Sequence, residues 1–332
     1  MVKFYRWGLL CFAALSGACL GGCDRGPLEP QDSPRLLPKT PVAPLVGSRF
    51  RLPQPKRLVA IGDLHGDFAA TLGAFQLAGA IDDAGHWIGG DLVVVQTGDQ
   101  LDRGDDERKI FDFLTRLRKE AAKAGGALHI LSGNHEIMNV AGDFRYVTSG
   151  ARDVFNDLEP RSPYAVGMRG LYAGRAGAFF PGGGAARTLA KQPVILIVGD
   201  TVFAHGGVLP EHAIYGVEKL NDEVAAWMSG AEREPPELIE SSTGPVWTRM
   251  YGDPQVSAAA CKKLAQTLRM LSVRRMVVGH TVQAKGMSSA CEDQVFRIDV
   301  GLASYYGDHP VQVLEMRGPR ARILTKSEVL AP

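Results

Sequence analysis

Charge of neither sign is in excess in these 332 residues: 37 Lys and Arg stand against 36 Asp and Glu, a formal +1. Phosphate-backbone affinity needs a basic surplus, so nucleic acid is excluded as the default partner. Internal repeats and long charge runs are absent. The uncharged run Trp7–Leu20 has only about 14 residues, short of the ~20 that a bilayer-spanning helix needs. A chain that is 45% hydrophobic and 22% charged is neither disordered nor collagen-like, and its length suits one large domain or two small ones. What is plentiful is glycine, 39 residues. Many tight turns follow, of the kind that bring backbone close to small ligands.

Lys3 and Arg6 before the run Trp7–Leu20 give the pattern of an export signal over residues 1–22. The run ends in Leu20-Gly21-Gly22-Cys23, which resembles a bacterial lipobox, with Cys23 as the lipidated residue. The expected address is a cell-envelope lipoprotein facing the periplasm, the alternative a soluble periplasmic or secreted protein. Residues 24–56 hold eight of the twenty prolines, so 23–56 reads as an extended tether that could reach roughly 100 Å. Five cysteines leave Cys261 and Cys291 over after export. In an oxidising compartment such a pair suggests a disulfide, with two buried thiols as the alternative.

From residue 57 to about 328, strands and helices alternate. Arg57–Ile61, Leu92–Val95 and Leu128–Leu131 are buried-strand runs. Between them, Phe68, Leu72 and Phe75, then Ile110, Leu114, Leu117 and Ala121, repeat at the spacing of one helical face. Asp67 suits the first helix as a cap. This βαβαβ order predicts a parallel sheet with loops at its C-terminal edge, where ligands collect in open α/β folds. Residues 137–192 are irregular and Gly-rich and read as a cap insertion. A hairpin over 194–204, a helical stretch over 211–270 and short strands at 276–278, 295–300, 311–316 and 321–325 follow. The whole predicts two packed sheets flanked by helices.

Chemistry-bearing residues stand where the strands end. Asp63, His65, Asp99, Asn134, His205 and His280 are oxygen and imidazole donors, each close to a glycine. Mixed N/O donors sharing a carboxylate are what two neighbouring divalent metals require. No cysteine belongs to the set, which argues against a structural zinc site. His86, His129, His212 and His309 lack this context.

These loops, GDLHG at 62–66, GDQLDRG at 98–104, GNHE at 133–136, HGG at 205–207 and GH at 279–280, are similar in order to calcineurin-like metallophosphoesterases of the phosphoprotein phosphatase type. The resemblance spans roughly 57–316. Met138-Asn-Val, Phe203-Ala-His-Gly-Gly, Pro245-Val-Trp-Thr-Arg249 and Ile298-Asp-Val-Gly301 with Tyr305-Tyr306 look like the Shewanella-like protein phosphatases. The resemblance implies an αββα sandwich of two mixed sheets. It also implies a first metal on Asp63 and His65, Asp99 as bridge, and a second metal on Asn134, His205 and His280. Manganese, iron and zinc suit such donors alike. A metal-bridging hydroxide would attack phosphorus, Arg103 would grip the phosphate, and His135, oriented by Asp102, would protonate the leaving oxygen. Arg249 is the second arginine that the resemblance suggests. Arg145, Tyr146 and Tyr306 are candidate substrate contacts.

The expected function is therefore a phosphoprotein phosphatase, phosphotyrosine favoured over phosphoserine and phosphothreonine. The alternatives are a small-molecule phosphohydrolase, such as one cleaving dinucleoside polyphosphates, and a non-catalytic binding module. The last should have lost a ligand or the acid, and none is missing.

Overall fold

The computed structural model describes residues 48–325. The export signal, Cys23 and most of the tether lie outside the described residues.

Along the chain the elements are β1 (Arg51–Leu52), β2 (Leu58–Ile61), α1 (Phe68–Leu77), β3 (Val93–Gln96), α2 (Glu107–Lys123), β4 (Ala127–Ile130) and α3 (Asn134–Ala141). Then come α4 (Ala173–Phe179), α5 (Gly184–Leu189), β5 (Ile195–Val198), β6 (Thr201–Ala204), α6 (Pro210–Tyr215), α7 (Val217–Ser229) and α8 (Glu237–Glu240). The last are α9 (Ala258–Leu271), β7 (Arg275–Val278), β8 (Ser288–Ala290), β9 (Val295–Arg297), β10 (Gln312–Arg317) and β11 (Arg320–Thr325).

They build two mixed sheets, ordered β11-β10-β2-β3-β4 and β1-β5-β6-β7-β9-β8. Within the first, β2, β3 and β4 are parallel, as the βαβαβ order predicts, and the β10–β11 hairpin closes the other side antiparallel. Side chains alternate across a strand, and in the second sheet this sorts them cleanly. Leu196, Val198, Phe203 and Val277 join the first sheet's residues in one core, while Ile195, Ile197, Val202, Ala204, Met276 and Val278 join Leu220, Val224, Leu264 and Leu268 of α7 and α9 in another. On the first sheet's outer side, Phe75, Ile110, Leu114 and Leu117 supply the faces of α1 and α2. The layers are thus helix, sheet, sheet, helix. Asp67 caps α1 by accepting from Ala70 N at 2.9 Å.

Three expectations need correction. The tether does not run to residue 56: β1 pairs in parallel with β5, and Phe50 packs on the second core. Two apolar positions there outweigh the nearby prolines, which sit just outside the strand. The cap does not begin at 137, because α3 runs unbroken from the GNHE loop to Ala141 and ends on Gly142 in the left-handed region. The stretch expected as helical over 211–270 is interrupted between α8 and α9, where residues 241–257 turn back toward the site. Cys261 on α9 and Cys291 after β8 are joined as a disulfide, with Cα atoms 5.3 Å apart.

Candidate metal centre

Each donor stands just past the C-terminal end of a strand. Asp63 and His65 follow β2, Asp99 follows β3, Asn134 and His135 follow β4, His205 follows β6 and His280 follows β7. Parallel neighbours all point the same way, so the sheets gather these residues at one edge. Two close approaches bring the loops together. A Cβ on Gly66 would lie 2.6 Å from Gly104 O, and one on Gly279 would lie 2.4 Å from an Asp63 carboxylate oxygen. Only glycine fits either place.

Backbone strain concentrates here. His65, Asp99, Asp102, Arg103 and His280 all have φ between 44° and 67°, the left-handed region that side chains disfavour. Two buried glutamates hold these turns. Glu136 accepts from the backbone N–H of Asp99 (2.8 Å), Gln100 (2.9 Å) and Gly133 (2.7 Å), and Glu107 accepts from that of Asp102 at 2.5 Å.

Asp99 sits at the centre. Its Oδ2 lies 3.5 Å from His65 Nε2, 3.8 Å from His135 Nε2 and 3.2 Å from His205 Nε2. Donor atoms of Asp99, His65 and His135 all lie within 4.8 Å of one another, as do those of Asp99, His205 and His280. Asn134 Oδ1 is 2.9 Å from His205 Nε2, and Asp63 Oδ2 is 3.9 Å from His65 Nε2. Asp99 thus neighbours both His65, beside Asp63, and His205, beside Asn134 and His280, so one carboxylate is common to two donor groups, as a bridged pair of cations requires.

The four imidazoles divide by what their far nitrogen touches. His65 Nδ1 lies 3.0 Å from Leu101 O, His205 Nδ1 3.0 Å from Thr97 O, and His280 Nε2 2.9 Å from Trp247 O. A carbonyl only accepts, so each of these nitrogens carries a proton, and the ring's other nitrogen, turned to the cluster, is the one available to a cation. Burial keeps two of them neutral: it pulls His65 down to about 3 and His280 well below an ordinary imidazole. His135 instead sets Nδ1 2.6 Å from Asp102 Oδ2. Burial opposes its charge, but the nearby Asp99 charge and the Asp102 hydrogen bond outweigh that and raise its pKa. Three rings are built as ligands and the fourth as a proton donor.

The donor set fits a pair of divalent cations. Burial, then the Asp299 and Asp99 charges, push Asp63 well above the usual carboxylate range. Burial opposes ionisation of Asp99 too, yet its ring of histidines, His205 and His135 foremost, holds its pKa well below that range. Crowded buried carboxylates among imidazole nitrogens call for positive charge between them.

Arg103 is at the rim, its Nη1 2.8 Å from His65 Nε2. Its guanidinium lies 5.3, 5.6 and 5.2 Å from the ring centres of Tyr146, Tyr305 and Tyr306. Tyr146 also faces the His135 ring at 5.2 Å, and Tyr306 the His65 ring at 5.6 Å. Arg249 is exposed and anchored by Nη1 to His280 O at 2.8 Å and Thr281 Oγ1 at 3.0 Å, beside the His280 loop. Arg145, exposed beside Tyr146, pairs its guanidinium with Asp143 at 2.7 Å, and Tyr146 faces the His135 ring. Sequence reasoning gave no role to Glu136, Tyr305 or Asp299. Glu136 is the last letter of GNHE and Tyr305 adjoins Tyr306, so both were within sight of the motifs.

Residues 56–284 match the family model described as calcineurin-like phosphoesterase. The chain belongs to that family. This phosphoesterase is 39% identical over 315 residues to "Shewanella-like protein phosphatase 2" of Arabidopsis thaliana, covering 85% of this chain and 80% of that one. It is 28% identical over 258 residues to "Shewanella-like protein phosphatase 1" of Plasmodium berghei, covering 75% and 68%. Among solved structures it resembles a cold-active protein-tyrosine phosphatase of a psychrophilic Shewanella, with a TM-score of 0.69, 25% identity and coverage of 84% and 82%. A serine/threonine phosphatase of Saccharomyces cerevisiae, at 15% identity and a TM-score of 0.54, shares the fold. The phosphoesterase is thus a phosphatase, hydrolysing phosphate esters at a metal-binding edge of two packed sheets.

Proposed function

We propose that the phosphatase acts on phosphorylated protein side chains and favours phosphotyrosine. The observation that carries the chemistry is the division of the histidines: three have one nitrogen on a backbone carbonyl and the other turned to the cluster, and one is paired with the Asp102 carboxylate. When bound, two divalent cations (manganese, iron or zinc) polarise the phosphoryl oxygens and acidify a water as the nucleophile.

The chain's own residues supply the rest. Asp63, His65 and Asp99 would hold the first cation; Asp99, Asn134, His205 and His280 would hold the second. Arg103 offers a planar, permanently charged fork to the phosphate oxygens, with Arg249 beside His280 as a second cation. His135 gives its proton to the departing oxygen, and Asp102 stabilises the charged ring before that transfer. The tyrosine preference is supported by Tyr146, Tyr305 and Tyr306, which surround Arg103 with aromatic faces where a phosphorylated phenol would lie.

The test compares kcat/KM of the Mn²⁺-loaded protein on a phosphotyrosine peptide and on its phosphothreonine counterpart, with a chelated control. A strong tyrosine preference is expected. Equal or threonine-biased rates would remove the tyrosine reading and leave the metal chemistry. Failure on both peptides with metal bound would favour a small-molecule phosphate ester. Export with a lipid on Cys23 belongs to the same proposal, supported by the Leu20-Gly-Gly-Cys23 run. Cys23→Ser should abolish incorporation of labelled fatty acid into the chain.

A further inference from the structure

Arg175 is wholly buried although it lies in the cap, on α4. The rings of Phe144, Phe155 and Phe179 surround its guanidinium at 5.9, 5.6 and 4.7 Å. A cation this dry needs a partner. Glu107 provides one, accepting Nη1 at 2.7 Å and Nη2 at 3.1 Å. A purely structural pair would end there, but this one continues to the catalytic dyad. Arg175 Nε donates to Asn139 Oδ1 at 2.8 Å, and Asn139 Nδ2 donates to Asp102 Oδ1 at 3.1 Å. Arg175 Nη2 is itself 3.6 Å from that same Asp102 oxygen. The other Asp102 oxygen is the one against His135 Nδ1.

We propose that Arg175 is a positioning residue for the leaving-group proton: through Asn139 and by direct attraction it fixes Asp102 Oδ1, which leaves Oδ2 aimed at His135. A carboxylate held at one oxygen can swing about its last torsion, which is soft. Anchoring the second oxygen removes that freedom, and Glu107 completes the clamp by holding both the Asp102 backbone N–H and the Arg175 fork. The cap therefore does more than line the cleft. It delivers the group that orients the proton donor, so the cap insertion and the phosphate chemistry are one unit.

The inference rests on His135 as the proton donor, and a leaving-group comparison tests both separately. With the full Mn²⁺-loaded chain, kcat would be measured on p-nitrophenyl phosphate, whose leaving group needs little protonation, and on a simple alkyl phosphate, whose leaving group needs it. Arg175→Lys, which keeps the charge and loses the fork, and Asn139→Leu, which cuts the link, should each lower the alkyl rate about 10-fold more than the nitrophenyl rate. KM and bound metal should stay unchanged. Phe155→Leu trims the aromatic box without touching a hydrogen bond; it should lower Tm and leave the ratio of the two rates alone. Equal losses on both substrates in Arg175→Lys and Asn139→Leu would overturn the inference, and if Arg175→Lys fails to fold, Asn139→Leu decides it. His135→Ala in the same assay separates the two readings. Discrimination there without discrimination in the Arg175 and Asn139 variants sinks the positioning role alone; no discrimination in His135→Ala sinks both.

Discussion

The two sheets contribute to the same site in different ways. The first sends out three parallel strands, and each ends in a polar loop that carries several functional groups: Asp63 with His65, Asp99 with Asp102 and Arg103, Asn134 with His135. The second contributes one histidine apiece from β6 and β7, each ring aimed by a carbonyl on another segment, Thr97 O for His205 and Trp247 O for His280. They are also held differently. In the first sheet, Glu315 on β10 binds Arg57 and Arg322, each at 2.6 Å. In the second, the Cys261–Cys291 disulfide ties α9 to the turn after β8. The comparison teaches that the first sheet's polar loops aim one another's groups, Leu101 O for His65 and Asp102 for His135, whereas each isolated ligand of the second sheet depends on a carbonyl from outside that sheet.

The strongest way to break this contrast is at the residue both sheets share. Asp99→Asn should lose bound metal and lower turnover by roughly 10³-fold, the scale of removing a main electrostatic stabiliser. Metal analysis and kcat on the same sample check it, and two retained metals with full activity would remove Asp99 from the bridge. Next comes the strand-end histidine of the first sheet that is not built as a ligand, His135. His135→Ala should lower the rate on an alkyl phosphate by about 10² to 10⁴-fold, and far less on p-nitrophenyl phosphate, with metal content kept. Equal losses on both substrates would count against the division of the imidazoles.

The remaining two concern stability. Cys261 and Cys291 are separated by 30 residues, so replacing both with serine should cost about 3.5 kcal/mol by loop closure alone, read from denaturant midpoints. A loss below about 1 kcal/mol would mean that the second sheet does not depend on its tether. Glu315→Gln should cost about 2 kcal/mol near neutrality, because it leaves arginines facing a neutral amide. Burial opposes ionisation of Glu315, but Arg57, Arg322 and Arg317 hold its pKa down at about 2. A carboxylate depressed in the fold stabilises above its ordinary pKa, and that stability is lost as pH falls from about 4.5 through about 2. Wild-type stability should therefore drop over this window, and the Gln variant should drop less. Parallel acid profiles would show that the cluster does not hold the first sheet.

Much of this was legible beforehand. Strand runs such as Leu58–Ile61 are apolar throughout because they are buried on both faces, and glycines mark the turns that follow them. His205 was legible because HGG follows a strand. The two short residues of β1 were not, since Arg51–Leu52 is too brief to show a period and takes its structure from β5. Nor was Arg175, an arginine in a Gly- and Ala-rich stretch whose burial depends on three phenylalanines from separate segments.

By itself, the sequence determined which chemical groups the site would contain and that strand ends would present them, because donor type and strand periodicity are local properties of the chain. Tertiary structure alone decided which ring nitrogen faces the cluster and which histidine keeps a proton. Those depend on whether a backbone carbonyl or the Asp102 carboxylate meets the far side of each ring, and partners 33 to 108 residues apart along the chain are set only when strands, loops and sheets assemble.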